Sequence, residues 1–343
     1  MSAEAAELVS ALPHRQRVLV TGATGFIGRR LVEALAGAGH EVTVLTRDHA
    51  KAALLRPPFR LVTDLEQIAD DAVIDAVVNL AGEPIGNGLW TRRKRRRIMS
   101  SRLRVTHAVV RLIARLRQPP AALISGSSVG WYGLWQNETL TEFDGGKRCF
   151  MHRVCEAWEQ TARKAEKYGT RVVRLRLGPV LGPGGGRLDQ ALAPCRLGSG
   201  EQWMSWIERD DLVRLLAHIV ANPKYVGAVN ATAPVPVTNA GFAQEIARFR
   251  RRPARPPLPA SLLRLLAGEL ARELWLGGQR VLPDKADANG FKFRHDDVRS
   301  ALSAVLDRGA ARARATKDLV RGAPQAAQGH HSASRIGFSD AVP

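Results

Sequence analysis

Acidic residues are missing from one long stretch of this sequence: none occurs between Glu83 and Glu138, while eleven Lys and Arg side chains do. Cysteine is scarce. Cys149, Cys155 and Cys195 form no CxxC pair, which excludes a disulfide framework or a thiolate zinc cluster and leaves a reducing cytoplasm as the expected location. No apolar run reaches the roughly 18 residues of a membrane-spanning helix. The amino-terminal MSAEAAELVSALPHRQR starts acidic and has no long apolar core, unlike a secretory leader. Tyrosine occurs only as Tyr132, Tyr168 and Tyr225, a scarcity that bears on the chemistry below.

What is present is an ordinary globular composition: 343 residues, 45% hydrophobic and 24% charged, enough for a large α/β domain with a smaller appendage. The net charge of +19 is local. It sits in the acid-free stretch, in six arginines within 246–268 (Arg248, Arg250, Arg251, Arg252, Arg255 and Arg264) and in the tail 307–343. The remainder is nearly neutral, so a polyanionic partner is a question about particular segments.

Apolar runs alternate with helix-length segments. RVLVTG (17–22), EVTVLT (41–46), FRLVTD (59–64), DAVVNLAG (75–82), AALISGS (121–127) and TRVVRLRLG (170–178) read as buried strands. Segments 26–38 and 150–168 read as helices, and Ile98, Val105, Val109, Leu112, Ile113 and Leu116 recur at helical spacing. This alternation predicts an α/β fold with a doubly wound parallel Rossmann sheet over 16–235, after an N-terminal extension (1–15). Past Pro234, two or three helical stretches broken by RRPARPPLPA (251–260) and LGGQRVLPDKA (276–286) predict a small, mainly helical C-terminal domain over 236–306. Residues 307–343 have the composition of a disordered tail, and His330 and His331 there are too isolated to suggest a metal site.

Gly22, Gly25 and Gly28 follow the first strand and open the first helix. Glycine at these places permits a tight turn, close approach of a pyrophosphate, and packing of helix on sheet; the helix N-terminus then offers free amides. A tight turn alone would also use such glycines. Their order within one βαβ unit favours dinucleotide binding. At the end of the second strand, where an NAD site usually carries Asp or Glu, this sequence has Arg47, nineteen residues after Gly28. A guanidinium pairs with a 2′-phosphate, so NADP is expected over NAD, although Asp48 stands beside it and Arg47 could simply occupy an exposed strand end.

These features resemble the short-chain dehydrogenase/reductase superfamily in its extended form. The G-x-x-G-x-x-G spacing, NLAG (79–82), SGSSVGWYG (125–133) and LGPVLGP (177–183) carry the resemblance. More narrowly, NLAGEPIGNGLWT (79–91), the serine loop, WIERDDLV (206–213) and LLAGELARELWLGGQRVLP (265–283) resemble the atypical sugar-nucleotide epimerase-like proteins with a C-terminal domain of unknown function of the DUF1731 type. The resemblance runs from about Arg17 to Leu306. It implies strand order 3-2-1-4-5-6-7 and a substrate held between the NAD(P)-binding sheet domain and the C-terminal part. It also implies a cofactor lined by Gly22, Thr24, Gly25, Phe26, Ile27, Gly28, Arg47, Leu80, Ala81 and Gly82, with Asp64 and Leu65 near adenine. Asp210 resembles an aspartate at the base of the site, and could equally be a helix N-cap.

Hydride transfer in that superfamily relies on a Tyr whose acidity is raised by a Lys four residues on, with a Ser beside the carbonyl. Ser127 or Ser128 can supply the serine. Where the pair should stand, the sequence reads FMHRV (150–154), and a phenyl ring cannot move a proton. Substitute acid/base candidates are Tyr132, Glu83 and His152, although a helix would point His152 away from the position of Phe150. Tyr132 could instead be a packed loop aromatic. Trp90, Trp131, Trp135, Trp203 and Trp206 fall near the expected ligand edge of the sheet, where loop packing is their commoner use.

The run RRKRRR (92–97), followed by Arg102 and Arg104, suits a nucleic-acid patch, the steering of an anionic substrate, or the solvated face of an amphipathic helix. No aromatic interleaves it for base stacking, and the solvated face is favoured. The sequence therefore reads as an NADP-dependent oxidoreductase or epimerase acting on a small molecule of unknown identity. A catalytically silent NADP(H) sensor or scaffold is the first alternative, and a nucleic-acid-associated protein using the 92–104 helix the second. No membrane partner is expected.

Overall fold

Strand β1 (Arg17–Thr21) is too short and too apolar to face water on either side, and it sits inside the sheet. It pairs in parallel with β2 (Glu41–Leu45) and β4 (Ala76–Asn79). Outward from these lie β3 (Arg60–Val62) on one side and β5 (Ala122–Ser128), β6 (Arg171–Leu177) and β7 (Gly227–Ala231) on the other. The order is β7-β6-β5-β4-β1-β2-β3, all parallel, as the resemblance implies. The computed structural model describes residues 3–12, 14–56, 58–185, 195–251 and 255–306. The tail 307–343, with His330 and His331, lies outside the described residues, as does Arg252.

Helices cover both faces, because strands buried on two sides must be packed on two sides. Leu31 and Leu35 of α1 (Phe26–Gly37) share one core with Leu212, Leu215 and Ile219 of α4 (Arg209–Ala221). Val109, Leu112 and Ile113 of α2 (Arg92–Arg115) fill the other with Leu123 and Val172; α3 (Phe150–Arg163) packs beside α2, sending Ala162 there. The seventh strand is absent from the sequence reading. Its residues GAVNA include a polar, fully buried Asn230, whose side chain donates to the Leu282 carbonyl at 2.8 Å.

The C-terminal part is mainly helical, with α5 (Asn239–Arg250), α6 (Ala260–Leu270), a π-helical turn (Ala271–Trp275), a short helix (Asp284–Ala288) and a helical 298–306. Three two-stranded pairs tie it to the sheet domain: Val237–Thr238 with Trp203–Met204, Arg255–Leu258 with Cys195–Leu197, and Arg280–Val281 with Thr139–Leu140. No helix among the described residues is long and apolar enough to cross a membrane.

Candidate functional site

The glycine loop bends β1 into α1 by backbone contact. Gly22 has φ +70°, and a Cβ there would stand 2.7 Å from the Leu80 carbonyl carbon. A Cβ on Gly28 would stand 2.3 Å from the Gly22 carbonyl oxygen. Gly25 is the N-cap of α1 and has no side chain to cap it, so the amides of the first turn remain for a ligand. Across the loop, buried Asn79 fixes the end of β4: its Oδ1 accepts from Thr21 Oγ1 at 2.6 Å, and its Nδ2 donates to Thr106 at 2.9 Å. This brings Leu80, Ala81 and Gly82 against the loop. Thr24, Phe26 and Ile27 stay partly exposed beside it.

Arg47 is exposed just past β2, with no ion pair to a described residue. Asp48, which could compete for it, caps the short helix His49–Ala52 and pairs with Lys51 Nζ at 2.9 Å. The cradle therefore fits a dinucleotide: close backbone, uncapped helix start and a cation at the edge of β2. Asp64 and Leu65 follow β3 at the same edge of the sheet. Asp64 is exposed and closes a capping box with Gln67 through one carboxylate oxygen, and the Leu65 side chain is buried in the core with Ile68 and Val109.

Beside the cradle lies a cavity of about 410 Å³. Ile27, Leu80 and Gly82 line the cradle side, and Ser127, Ser128, Val129 and Gly130 the end of β5. Met151, Cys155 and Trp158 of α3, the 177–180 turn after β6, and 202–205 and 273–279 close it. Ser127 Oγ donates to Glu159 Oε1 at 2.7 Å, and Ser128 Oγ accepts from the Gly130 amide at 3.1 Å. Glu159 is itself buried and held by the Nε and Nη2 of Arg176 at 3.0 and 3.2 Å, with Arg174 at 3.4 Å. A carboxylate can only accept, so the Ser127 proton is committed to it and the serine presents lone pairs elsewhere.

The start of α3 is held from the far end of the chain. Both oxygens of Glu273 accept from the amides of Phe150 and Met151 at 2.9 Å, a negative charge at a helix N-terminus. Phe150 meets Trp90 edge-on at 4.9 Å, and Val154 is fully buried, so no phenol or amine enters the cavity from these positions. Burial pushes the thiols up, Cys149 to about 11 and Cys155 to about 12, which keeps both protonated at neutral pH.

Three acid/base candidates lie off the cavity wall. Tyr132 is fully buried; its hydroxyl sits 2.8 Å from both the Thr141 carbonyl and Asn230 Oδ1, and burial pushes it up to about 12. Glu83 pairs with Lys94 at 2.9 Å and Arg97 at 3.6 Å; its hydrogen bond from Lys94 holds the carboxyl below its ordinary range, so it is a poor base. His152 Nδ1 is engaged by the Trp131 carbonyl. Asp210 is not an N-cap, since Glu208 caps α4; Asp210 instead takes a two-pronged bond from Arg30 of α1 at 2.8 and 2.9 Å.

The basic run is divided rather than uniformly solvated. Arg92, Arg93, Arg96 and Arg104 are exposed, Lys94 and Arg102 are buried, and Arg95 pairs with Glu269. Of the five tryptophans singled out in the sequence, only Trp203 reaches the cavity, while Trp158 and Trp275 also line it. Sequence reasoning misses Glu159, Arg176 and Glu273, and places Arg102 on a solvated face although it is buried. ELARELWLGGQR (269–280) is a motif in the sequence, and Glu273 within it was its available signal.

Residues 18–231 match the model of the NAD dependent epimerase/dehydratase family, and residues 258–305 match a domain of unknown function, DUF1731. The chain is 40% identical over 302 residues to the chloroplastic SDR39U1 homolog of Arabidopsis thaliana, covering 84% of this chain and 86% of that one. It is 34% identical to the epimerase family protein YfhF of Bacillus subtilis, covering 84% and 97%. The crystal structure of human epimerase family protein SDR39U1 (isoform 2) with NADPH superposes with a TM-score of 0.76 at 31% identity, covering 85% of this chain and 99% of that chain. With fold, glycine loop and full-length relatives in agreement, the chain belongs to the NAD dependent epimerase/dehydratase family, among the SDR39U1-like epimerase family proteins.

Proposed function

We propose that this protein binds NADP(H) on the 22–28 loop and carries out hydride transfer, as a reductase or epimerase, on a small molecule in the adjoining cavity. The observation that carries this is the continuity of the two: Ile27, Leu80 and Gly82 belong both to the cradle and to the cavity wall. Ligands of open α/β sheets bind at this carboxyl edge of the strands. When bound, the dinucleotide supplies the hydride acceptor or donor. In this reading Gly22, Gly25 and Gly28 admit the pyrophosphate, and Arg47 meets the 2′-phosphate. Ser127, its proton committed to Glu159, accepts a hydrogen bond from a substrate hydroxyl, and Ser128 borders the same space. The NADPH in the human relative's structure supports the choice of cofactor.

Titration of purified protein with NADPH and NADH tests this reading, and binding of neither would end it. Replacing Arg47 by Glu is expected to shift the NADPH:NADH preference at least about tenfold toward NADH, or roughly 1.4 kcal/mol. An unchanged ratio would remove Arg47 from the 2′-phosphate.

A second reading, an NADP(H)-binding protein without turnover, is favoured by Phe150 and Val154 in place of a phenol and an amine. NADPH oxidation across a panel of carbonyl compounds and nucleotide sugars separates the two.

A further inference from the structure

Arg102 is a buried cation that the reading above leaves without a task. It projects from α2 into the cavity wall with 7% of its surface exposed. Its Nη1 donates to the carbonyls of Ile98 at 3.0 Å and Glu83 at 3.1 Å. Neither Nε nor Nη2 donates to a described residue. The guanidinium carbon stands 5.1 Å from the Trp158 ring, which positions the group without neutralising it.

Elsewhere in this chain a guanidinium edge meets a carboxylate. Arg17, Arg30, Arg176 and Arg299 each turn Nε and Nη2 together onto one carboxylate, those of Asp75, Asp210, Glu159 and Glu245. At Arg102 no carboxylate arrives. Glu83 is paired with Lys94 and Arg97, and Glu273, the other charged side chain among the described lining residues, is committed to two amides. A guanidinium taken out of water without a counter-ion is costly, and a bound anion removes that cost.

The rest of the wall limits what the anion is attached to. Gln202 donates to the Leu197 and Trp275 carbonyls, Asn239 accepts from the Leu197 amide, and Ser205 joins Gln279 to Val281. With those groups engaged by backbone, most of what remains is apolar, including Leu134, Trp203, Leu274 and Trp275. A densely hydroxylated ligand would find few partners there.

We propose that the cavity takes an apolar carboxylate, and that Arg102 anchors it through Nη2. This rests on the cavity being the substrate site of the proposed function. A phosphate of the dinucleotide is the other oxyanion the same nitrogen could hold, and the test reads the two separately.

Calorimetric titration of the full chain with benzoate and with its neutral analogue benzamide is expected to show benzoate binding at least tenfold more tightly. Arg102→Gln, which keeps a donor for the Ile98 carbonyl, should abolish that preference, and Arg102→Lys should keep part of it. Arg104→Gln, an exposed neighbour on α2, should leave it intact. NADPH affinity should change less than twofold in Arg102→Gln. Equal binding of benzoate and benzamide by the unaltered protein overturns the proposal, and needs no variant to fold. A tenfold loss of NADPH affinity in Arg102→Gln with benzoate preference retained also overturns it, by assigning the guanidinium to the cofactor. If the unaltered protein binds no NADPH, the proposed function falls, while the benzoate arm still decides the role of Arg102.

Discussion

The cradle and the cavity share one crevice and are built by opposite means. The cradle is made of backbone from two short segments, 22–28 and 79–82, and its shape depends on atoms that are not there: a Cβ on Gly22 or Gly28 would overlap main chain. The cavity is made largely of side chains from many separated segments, and behind its wall charges meet across the fold, as when Glu159 of α3, which holds Ser127, meets Arg176 of β6. A region of the first kind fails by steric overlap. One of the second kind fails by leaving a charge alone.

The largest effect should come from the second kind. Glu159→Ala strands the buried Arg176 guanidinium and releases Ser127, and is expected to destabilise the fold by about 3–5 kcal/mol in urea unfolding. A loss below about 1 kcal/mol would mean the pair is not what holds the wall. Gly28→Ala comes next. Its Cβ would press on the Gly22 carbonyl and the Ala23 Cα, neither of which is a flexible side-chain end, so about 1–3 kcal/mol is expected, with NADPH binding lost. Retained binding would show that the loop tolerates widening and would blur the contrast. The smallest effect belongs to Tyr132→Phe. Losing its hydroxyl beside Asn230 should cost about 1 kcal/mol and leave NADPH affinity unchanged, as calorimetry can check. A large loss of turnover in that variant would return Tyr132 to the chemistry.

The same contrast explains what the sequence makes legible. Gly22, Gly25 and Gly28 announce the cradle because the constraint is local: each glycine is demanded by backbone a few residues away or by one neighbouring strand. Six strands are visible because a strand buried on both faces is a continuous apolar run. The seventh is not, because Asn230 interrupts the run and is satisfied by Tyr132 and Leu282, partners 98 and 52 residues distant. Arg102 is hidden for a similar reason. Within RRKRRR and its continuation it reads as one more solvated cation, and only the approach of Gly82 and Trp158 separates it from exposed Arg104 two residues on. Tyr132 misleads in the opposite direction: it follows the serine loop in sequence, but the 3-10 turn 129–132 carries its ring into the core.

The Glu273 cap has a consequence for the order in which the protein becomes competent during synthesis. The cradle is complete in composition once residue 82 has been added. The first turn of α3, although it leaves the ribosome early, receives its acceptor only when residue 273 follows more than a hundred positions later. The wall supplied by 273–279 arrives at the same moment. A nascent chain can thus hold a finished nucleotide loop while the compartment beside it stays open to water, and enclosure is among the last things the growing chain achieves.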